Sequence, residues 1–309
     1  EAGEVNDEGY PDGLNTLEAI KQLQVLKEGG HPFLLALGFY KPHLPFNAPK
    51  KYWDLYDRDE IPMAENNYLP KHLNNIYSVN NSPELTTHYP WPDGPGKVTP
   101  ESAKTIKHGY YSCVSYVDAL VGKVLDELDR LDLASNTIVI LWSDHGWHLG
   151  EHTMFGKMSN FEIATRSPLI IRVPDSKKKG VVLNHLTESI DIYPTLAELC
   201  GLDYPDNLDG ESIADILNNP DQEGQKIARS FYYRNGALGK TIRTERYRIV
   251  RWATENDSCL AMELYDHQVD PDENINVAKE QKALANSLSE QLKTVQFMDD
   301  GMPFQNGWE

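Results

Sequence analysis

Residues 137–146, with the sequence TIVILWSDHG, decide how the fold of this chain is interpreted. The first six residues are apolar or β-branched, a composition that is typical of a strand. Ser143, Asp144, His145 and Gly146 follow at once. Because ligands of an open α/β sheet bind beyond the carboxyl ends of its strands, the segment predicts a strand that delivers Asp144 and His145 to a site.

Further elements on both sides of this segment alternate between helix and strand. Residues 16–28 predict a helix, since apolar residues recur at helical spacing behind a polar cap and two glycines follow. Residues 32–39 are a short apolar run, which predicts a strand buried on both faces. A long helix is predicted from Thr99 to Leu128, and residues 168–174 predict another strand.

This alternation predicts the fold class, which is α/β with a mostly parallel sheet covered by helices. Beyond residue 218 the pattern changes to short strands, near 240–243 and 247–252, followed by a helix near 279–294. We therefore predict two domains. Residues 1–217 form a catalytic α/β portion, and residues 218–309 form a small C-terminal α+β subdomain.

Two connecting stretches complete the prediction. Residues 57–99 are rich in Pro, Asn and Asp and show little periodicity, so we expect a long irregular excursion over the surface. Residues 191–199 predict a helix that ends at Cys200, where Gly201 suits the C-cap. Loops as long as the first of these often carry function.

The charge of the chain excludes some partners. Its 47 acidic and 29 basic side chains give a formal net charge of −18, which argues against nucleic acid or an anionic membrane surface as the main partner. No apolar stretch approaches the roughly 20 residues that span a bilayer. The three cysteines lack zinc-site spacing and are predicted to be buried free thiols. An acidic substrate would therefore need a local basic pocket.

Two further residues are candidates for the predicted site. His43 follows the apolar run 32–39, so a parallel sheet would bring it near Asp144 and His145. Lys157 is the nearest basic group after the Asp-His pair. Structural alternatives stay open for each: the aspartate caps the next turn, the histidines pack in loops, and the lysine faces solvent.

Matching segments in the same order along the chain resemble the formylglycine-dependent sulfatase family, and within it the iduronate-2-sulfatase pattern. The resemblance runs from about residue 5 to 278. The segments that carry it include SDHGWHLGEH, KMSNF, KPHLPF and IRTERYR, which are residues 143–152, 157–161, 41–46 and 242–248. Ordered matches over such a length are far more specific than one motif. The resemblance implies an alkaline-phosphatase-like fold and hydrolysis of a sulfate ester.

The resemblance also implies roles for the candidate residues. Asp144 and His145 would be metal ligands of a calcium ion that holds the sulfate. Calcium prefers oxygen ligands, so a contact to the sulfate or the nucleophile stays open as an alternative for His145. Lys157 would neutralise a sulfate oxygen in the transition state, and His43 would protonate the leaving sugar alcohol.

The nucleophile that this family requires has no counterpart in the sequence. Sulfatases use a formylglycine made from the Cys or Ser that opens a C/S-x-P-x-R motif, and no Cys or Ser here is followed by that pattern. We therefore expect a partner, an N-terminal sulfatase segment or separate chain that carries the motif. By resemblance we also expect a secreted, periplasmic or lysosomal protein, although the chain shows no signal peptide.

The expected substrate is a sulfated sugar or polysaccharide, and a 2-O-sulfated uronic acid fits the resemblance best. Arg243 and Arg246, with Arg248, are candidates for substrate binding, since a guanidinium pairs bidentately with a carboxylate. A solvated edge strand is the alternative for these arginines. Two other functions stay open: a phosphatase or phosphonate hydrolase of the same superfamily, and a non-catalytic glycan-binding protein.

Overall fold

The computed structural model describes residues 1–80, 84–85, 98–174, 176 and 178–294. Its α-helices are α1 (Pro11–Gly29), α2 (Lys50–Trp53), α3 (Pro100–Arg130), α4 (Glu162–Thr165), α5 (Ile192–Leu199), α6 (Ala214–Asn218) and α7 (Lys282–Thr294). Within those residues, no helix combines the length and the apolar character needed to cross a bilayer.

The strands form one large sheet and several small ones. They are β1 (Ala2–Gly3), β2 (Ala48–Pro49), β3 (Val139–Trp142), β4 (His148–Leu149), β5 (Phe155–Gly156), β6 (Leu169–Arg172), β7 (Ile227–Arg234), β8 (Ala237–Thr244), β9 (Tyr247–Ala253) and β10 (Cys259–Asp266). The large sheet has the order β10-β9-β8-β7 and is antiparallel throughout. β3 pairs with β6, β4 with β5, and β1 with β2.

The chain divides into two compact units. Unit 1 comprises Glu1–Glu65, Asn81–Leu141 and Ile170–Asp175, and unit 2 comprises Asn66–Asn80, Trp142–Leu169 and Ser176–Glu309. The domain boundary predicted near residue 218 stays a prediction.

Unit 1 is built on the packing of α1 against α3. Leu23, Leu128 and Leu133 form its buried apolar cluster, and Phe33 and Leu35 pack against that cluster. The long helix α3 begins where the sequence predicts, because Thr99 forms a capping box with Ser102. Burial of this apolar surface stabilises the contact between the two helices.

A buried carboxylate, Asp7, ties the chain start of unit 1 to α2 and α3. Its oxygens lie 2.7 Å from the Nζ atoms of both Lys51 and Lys123, and the Tyr52 hydroxyl donates to it at 2.9 Å. Burial alone would raise the pKa of Asp7, but the hydrogen bonds from Lys123, Lys51 and Tyr52 outweigh it and lower the pKa. Asp7 is therefore held ionised inside the unit.

Unit 2 is centred on the four-stranded sheet. Ile242, Ile249 and Leu264 form one apolar cluster with Leu288 and Leu292 of helix α7. Buried Glu263 on β10 accepts hydrogen bonds from Asn75, Trp252 and Tyr265 at 3.1, 2.8 and 2.8 Å, and another from Ser78. These bonds fasten the irregular segment 66–80 to the sheet.

Two local predictions are wrong. The first helix begins at Pro11 instead of residue 16, because Pro11 occupies the first helical position, where its missing N–H costs nothing. Residues 32–39 form no strand. Alternate side chains of that run are covered on one side only, Leu34 is exposed, and no ladder partner lies among the described residues.

Most other elements occur where they were predicted, including β3, β6, α5 and α7. Strands β7 and β10 were not predicted as elements. The predicted excursion is irregular over most of residues 61–80. Of residues 81–97, the structure describes residues 84–85 alone. All three cysteines are free, but only Cys113 is buried, so the prediction of buried thiols is wrong for Cys200 and Cys259.

Candidate active site

The Asp-His turn, residues 144–145, belongs to unit 2 and follows the end of β3. The carboxylate of Asp144 accepts the backbone N–H of His145 at 3.0 Å, and its side chain is 73% exposed. The Nδ1 atom of His145 lies 2.8 Å from the carbonyl oxygen of Gly146, and its Nε2 atom lies 3.5 Å from Asp144 Oδ2. Nδ1 therefore carries the proton that Gly146 accepts, and most of the Asp144 carboxylate faces outward.

Gly146 is required by a close backbone approach. Its N–H donates to the carbonyl of Ala164 at 2.8 Å, and a Cβ built on it would overlap the carbonyl oxygen of Ile163. Only glycine leaves that space free without moving the chain. The turn after the Asp-His pair therefore needs a glycine at this position.

Lys157 lies at the end of a short hairpin that begins three residues after His145. Strands β4 and β5 pair with the register His148 to Gly156 and Leu149 to Phe155. The Lys157 ammonium lies 5.6 Å from the centre of the Trp147 ring, a separation at which a cation and an aromatic ring attract. The lysine thus directly follows β5, and its ammonium faces the ring of the residue directly before β4.

One large cavity of unit 2 collects most of the predicted residues. Its volume is about 2230 Å³, and its lining includes Asp144, His145, Lys157, Arg243 and Arg246. The structure therefore brings these five side chains to a common cavity. His43 belongs to unit 1.

In unit 1, the His43 loop is held from within. Lys41 is buried and its Nζ donates to the carbonyls of His43 and Pro45, at 3.0 and 2.5 Å. His43 Nδ1 lies 2.8 Å from the Leu44 carbonyl, and Nε2 lies 2.9 Å from a carboxylate oxygen of Glu84. Both nitrogens face acceptors, an arrangement that the imidazolium satisfies completely.

Arg243 on β8 and Arg246 in the turn between β8 and β9 are paired with carboxylates. Arg246 makes a bidentate pair with Asp266 at 2.8 and 2.6 Å. Arg243 lies 3.2 Å from Glu162. These two guanidinium groups line the cavity, but their charges are already balanced.

Arg248 is the centre of a buried ion network. Its Nε donates to Glu273 at 2.6 Å, and its second nitrogen pairs with Glu162. His267 Nε2 lies 2.9 Å from the same Glu273 oxygen. Burial alone would raise the pKa of Glu273, but the charge of Arg248 outweighs it and lowers the pKa. The network therefore keeps both carboxylates ionised.

Sequence reasoning missed the carboxylates of this network. Glu162 and Glu273 lie 111 residues apart and meet only in the folded chain. Neither stands in a motif with an interpretable spacing. The sequence suggests that a buried arginine needs an acidic partner. It does not show which of the 47 acidic residues that partner is.

Two groups of side chains among the described residues have ligand atoms that a metal ion could bind. Glu162, His267 and Glu273 place ligand atoms within 4.8 Å of one another, but the guanidinium of Arg248 already supplies the cation there. The exposed carboxylate of Asp144 fits a hard cation such as calcium, which takes six to eight oxygens. The imidazole of His145 fits less well. Asp144 therefore has a carboxylate of the kind that a hard cation binds.

Two models of known protein families match the chain. Residues 2–202 match the family model "Sulfatase", and residues 150–298 match "N-sulphoglucosamine sulphohydrolase, C-terminal". The chain belongs to the sulfatase family. Membership of this family, which is generally metal-dependent, confirms the resemblance inferred from the sequence.

One curated relative is iduronate 2-sulfatase of Homo sapiens, 33% identical over 257 residues, which cover 73% of this chain and 46% of the relative. The chain spans about half the length of the curated relatives it matches.

Solved structures confirm the α/β fold. Phosphonate monoester hydrolase from Silicibacter pomeroyi superimposes with a TM-score of 0.78 at 25% identity, covering 94% of this chain and 60% of that one. The structure of BT4656 in complex with its substrate D-glucosamine-2-N,6-O-disulfate gives a TM-score of 0.72 at 23% identity, covering 92% and 70%. Both are similar in fold to this chain.

Proposed function

We propose that this chain is part of an enzyme that hydrolyses a sulfate ester on a sugar. The observation that carries the proposal is the common cavity of unit 2, where a carboxylate, an imidazole and an ammonium, those of Asp144, His145 and Lys157, share one lining. A metal-binding carboxylate beside cationic donors suits a sulfate ester, whose negative charge is spread over three oxygens. Family membership supports sulfate as the group that is cleaved.

We propose calcium as the metal, with Asp144 as an oxygen ligand and His145 as a ligand or a neighbour of the bound sulfate. The ion would supply charge neutralisation for the sulfate oxygens. The carboxylate of Asp144 is suited to this because most of its surface is exposed and its one backbone contact fixes its direction.

The proposed roles of Lys157 and His43 follow from their charges. Lys157 would donate to a sulfate oxygen as negative charge moves there in the transition state. His43 would give a proton to the departing sugar oxygen, a step for which an imidazole is a common donor. The contacts of both ring nitrogens, to the Leu44 carbonyl and to Glu84, hold the ring in one orientation.

We propose that the nucleophile lies on a segment outside these 309 residues. The support is the absence of any C/S-x-P-x-R match in the sequence. The partner would be a sulfatase segment that carries the formylglycine. Mass spectrometry of the purified native material tests this, and a single polypeptide of this sequence that is fully active would contradict it.

For the substrate we propose a 2-O-sulfated uronic acid of a polysaccharide, acted on in a secreted, periplasmic or lysosomal compartment. The iduronate 2-sulfatase relative supports the uronic acid, and the disulfated glucosamine bound by BT4656 supports a sulfated sugar. Arg243 and Arg246 already pair with Glu162 and Asp266. Each guanidinium would therefore bind the substrate and its present carboxylate partner at the same time.

The test compares rates on an aryl sulfate, an aryl phosphate and an aryl phosphonate monoester, followed by a panel of defined sulfated disaccharides. The proposal expects sulfate to be preferred, and Lys157→Met to lower kcat by roughly a hundredfold. Lys27→Met, an exposed lysine of helix α1, is the matched control. A preference for the phosphonate would favour the activity named for the Silicibacter pomeroyi protein.

A further inference from the structure

The hairpin that carries Lys157 contains a buried hydrogen-bond chain with no part in the roles above. His148 is fully buried on β4, and its Nε2 atom lies 2.9 Å from the hydroxyl oxygen of Ser159. His148 Nδ1 lies 3.2 Å from the carbonyl oxygen of Glu151. The Ser159 hydroxyl also accepts the backbone N–H of Phe161, at 3.4 Å.

These partners determine where the protons are. The Glu151 carbonyl can only accept, so Nδ1 of His148 carries the hydrogen and Nε2 is the acceptor for Ser159. Burial, reinforced by the charge of nearby His152, lowers the pKa of His148 to about 3. The imidazole therefore stays neutral near neutral pH, and the direction of each hydrogen bond is fixed.

The residues that follow Lys157 are held by the same hydrogen bonds and by further contacts. The Ser159 N–H donates to the carbonyl of Lys157 at 2.8 Å, so the turn after the lysine closes on the residue that His148 holds. On the far side, the amide of buried Asn160 donates to the carbonyl of Gly239 at 3.2 Å. Phe161 then enters an apolar cluster with Met154 and Tyr265.

We infer that His148 and Ser159 form a clamp that positions the Lys157 ammonium at the cavity wall, so that His148 is a positioning residue for the sulfate-binding lysine. The inference rests on the proposed function of Lys157. The geometry favours it because the bond ties His148, the first residue of β4, to Ser159, which lies two residues after Lys157 and three residues beyond the end of β5.

Four variants of the full chain separate the clamp from general packing. Ser159→Ala removes the hydroxyl. His148→Gln can place an amide oxygen near the former Nε2 and keep the bond to Ser159, whereas His148→Asn can keep only the bond to Glu151. His152→Asn is the matched control, because His152 is equally buried in the same cluster but does not bond Ser159. Asparagine also tolerates the left-handed backbone of that position.

The first readout is the NMR signal of Lys157 after reductive methylation with a ¹³C label, together with amide exchange over residues 155–161. We expect Ser159→Ala and His148→Asn to shift the Lys157 signal and to speed exchange, and His148→Gln to resemble the wild type. An unchanged signal in Ser159→Ala, or an equal shift in His152→Asn, would overturn the clamp.

The second readout is hydrolysis of the aryl sulfate by the native enzyme. We expect Ser159→Ala to lower kcat about ten- to a hundredfold with little change in KM, since a small displacement of a catalytic group has effects of this size. A shifted Lys157 signal with an unchanged kcat would support the clamp and contradict the proposed role of Lys157, so the two failures are distinguishable.

Discussion

Replacing Arg248 by methionine should destabilise unit 2 strongly. The Arg248 side chain is 3% exposed and that of Glu273 is 1% exposed, so the pair is screened from water. Methionine fills much of the same volume but leaves Glu273, among the described residues, with His267 and the backbone N–H of Glu162, at 2.9 and 2.7 Å. The variant therefore creates a buried carboxylate that has lost its main cation.

The size of the effect follows from these contacts. Removing one partner of a buried ion pair costs about 3–5 kcal/mol. The bonds that remain on Glu273, and the Arg243 charge that remains on Glu162, place Arg248→Met near the lower end, at about 3 kcal/mol. Arg246→Met should cost much less than Arg248→Met, because the Arg246 side chain is 47% exposed and water screens its charge.

Urea unfolding followed by tryptophan fluorescence measures both variants. We also expect Arg248→Met combined with Glu273→Gln to be less destabilised than the sum of the two single changes, by about 1–3 kcal/mol, since no unpaired charge is then buried. The reasoning fails if Arg248→Met and Arg246→Met differ by less than about 1 kcal/mol. It also fails if the double variant is simply additive.

Three further changes have defined outcomes. Asp7→Asn should lower the melting temperature at pH 6. Because the pKa of Asp7 is lowered in the folded state, its contribution is complete above the unfolded pKa and is lost as pH falls through the folded value, so the gap to wild type should shrink below about pH 4. Gly146→Ala should cost about 1–3 kcal/mol in urea unfolding, because the new methyl group overlaps the Ile163 carbonyl. Lys41→Met should cost about 1–3 kcal/mol and shift the His43 ring signals in NMR spectra, since two buried carbonyls lose their donor.

The sequence predicted the elements whose signals are local. Thr99 followed by Pro100 is a helix start that depends on neighbours alone, and α3 begins there. The β-branched run before Asp144 likewise forms β3. The first helix was placed too late, since its true start depends on Pro11 in a polar stretch without apolar periodicity.

Features that depend on distant partners could not be predicted in this way. The run 32–39 has the composition of a buried strand, but strand formation requires a hydrogen-bonded neighbour, which composition does not reveal. Arg243, Arg246 and Arg248 were recognised as candidate binders of a substrate carboxylate. The carboxylates that they bind in the structure are side chains of the chain itself, Glu162, Asp266 and Glu273.

The candidate site shows the same division. The Asp-His turn and Lys157 were found from strand-end placement and family resemblance, and the structure brings them to one cavity. The hydrogen bond between His148 and Ser159 has no sequence signal, because a histidine eleven residues from a serine has no characteristic spacing. Geometry in three dimensions was needed to connect them.

The most direct test of the central proposal is sulfate release by the native enzyme, measured by ion chromatography on a 2-O-sulfated uronate disaccharide, with wild type and Lys157→Met compared. We predict calcium-dependent release of sulfate that falls by roughly a hundredfold in the variant, while Lys27→Met stays at the wild-type rate. Equal rates for wild type and Lys157→Met, or no release of sulfate from any sulfated sugar, would contradict the proposal.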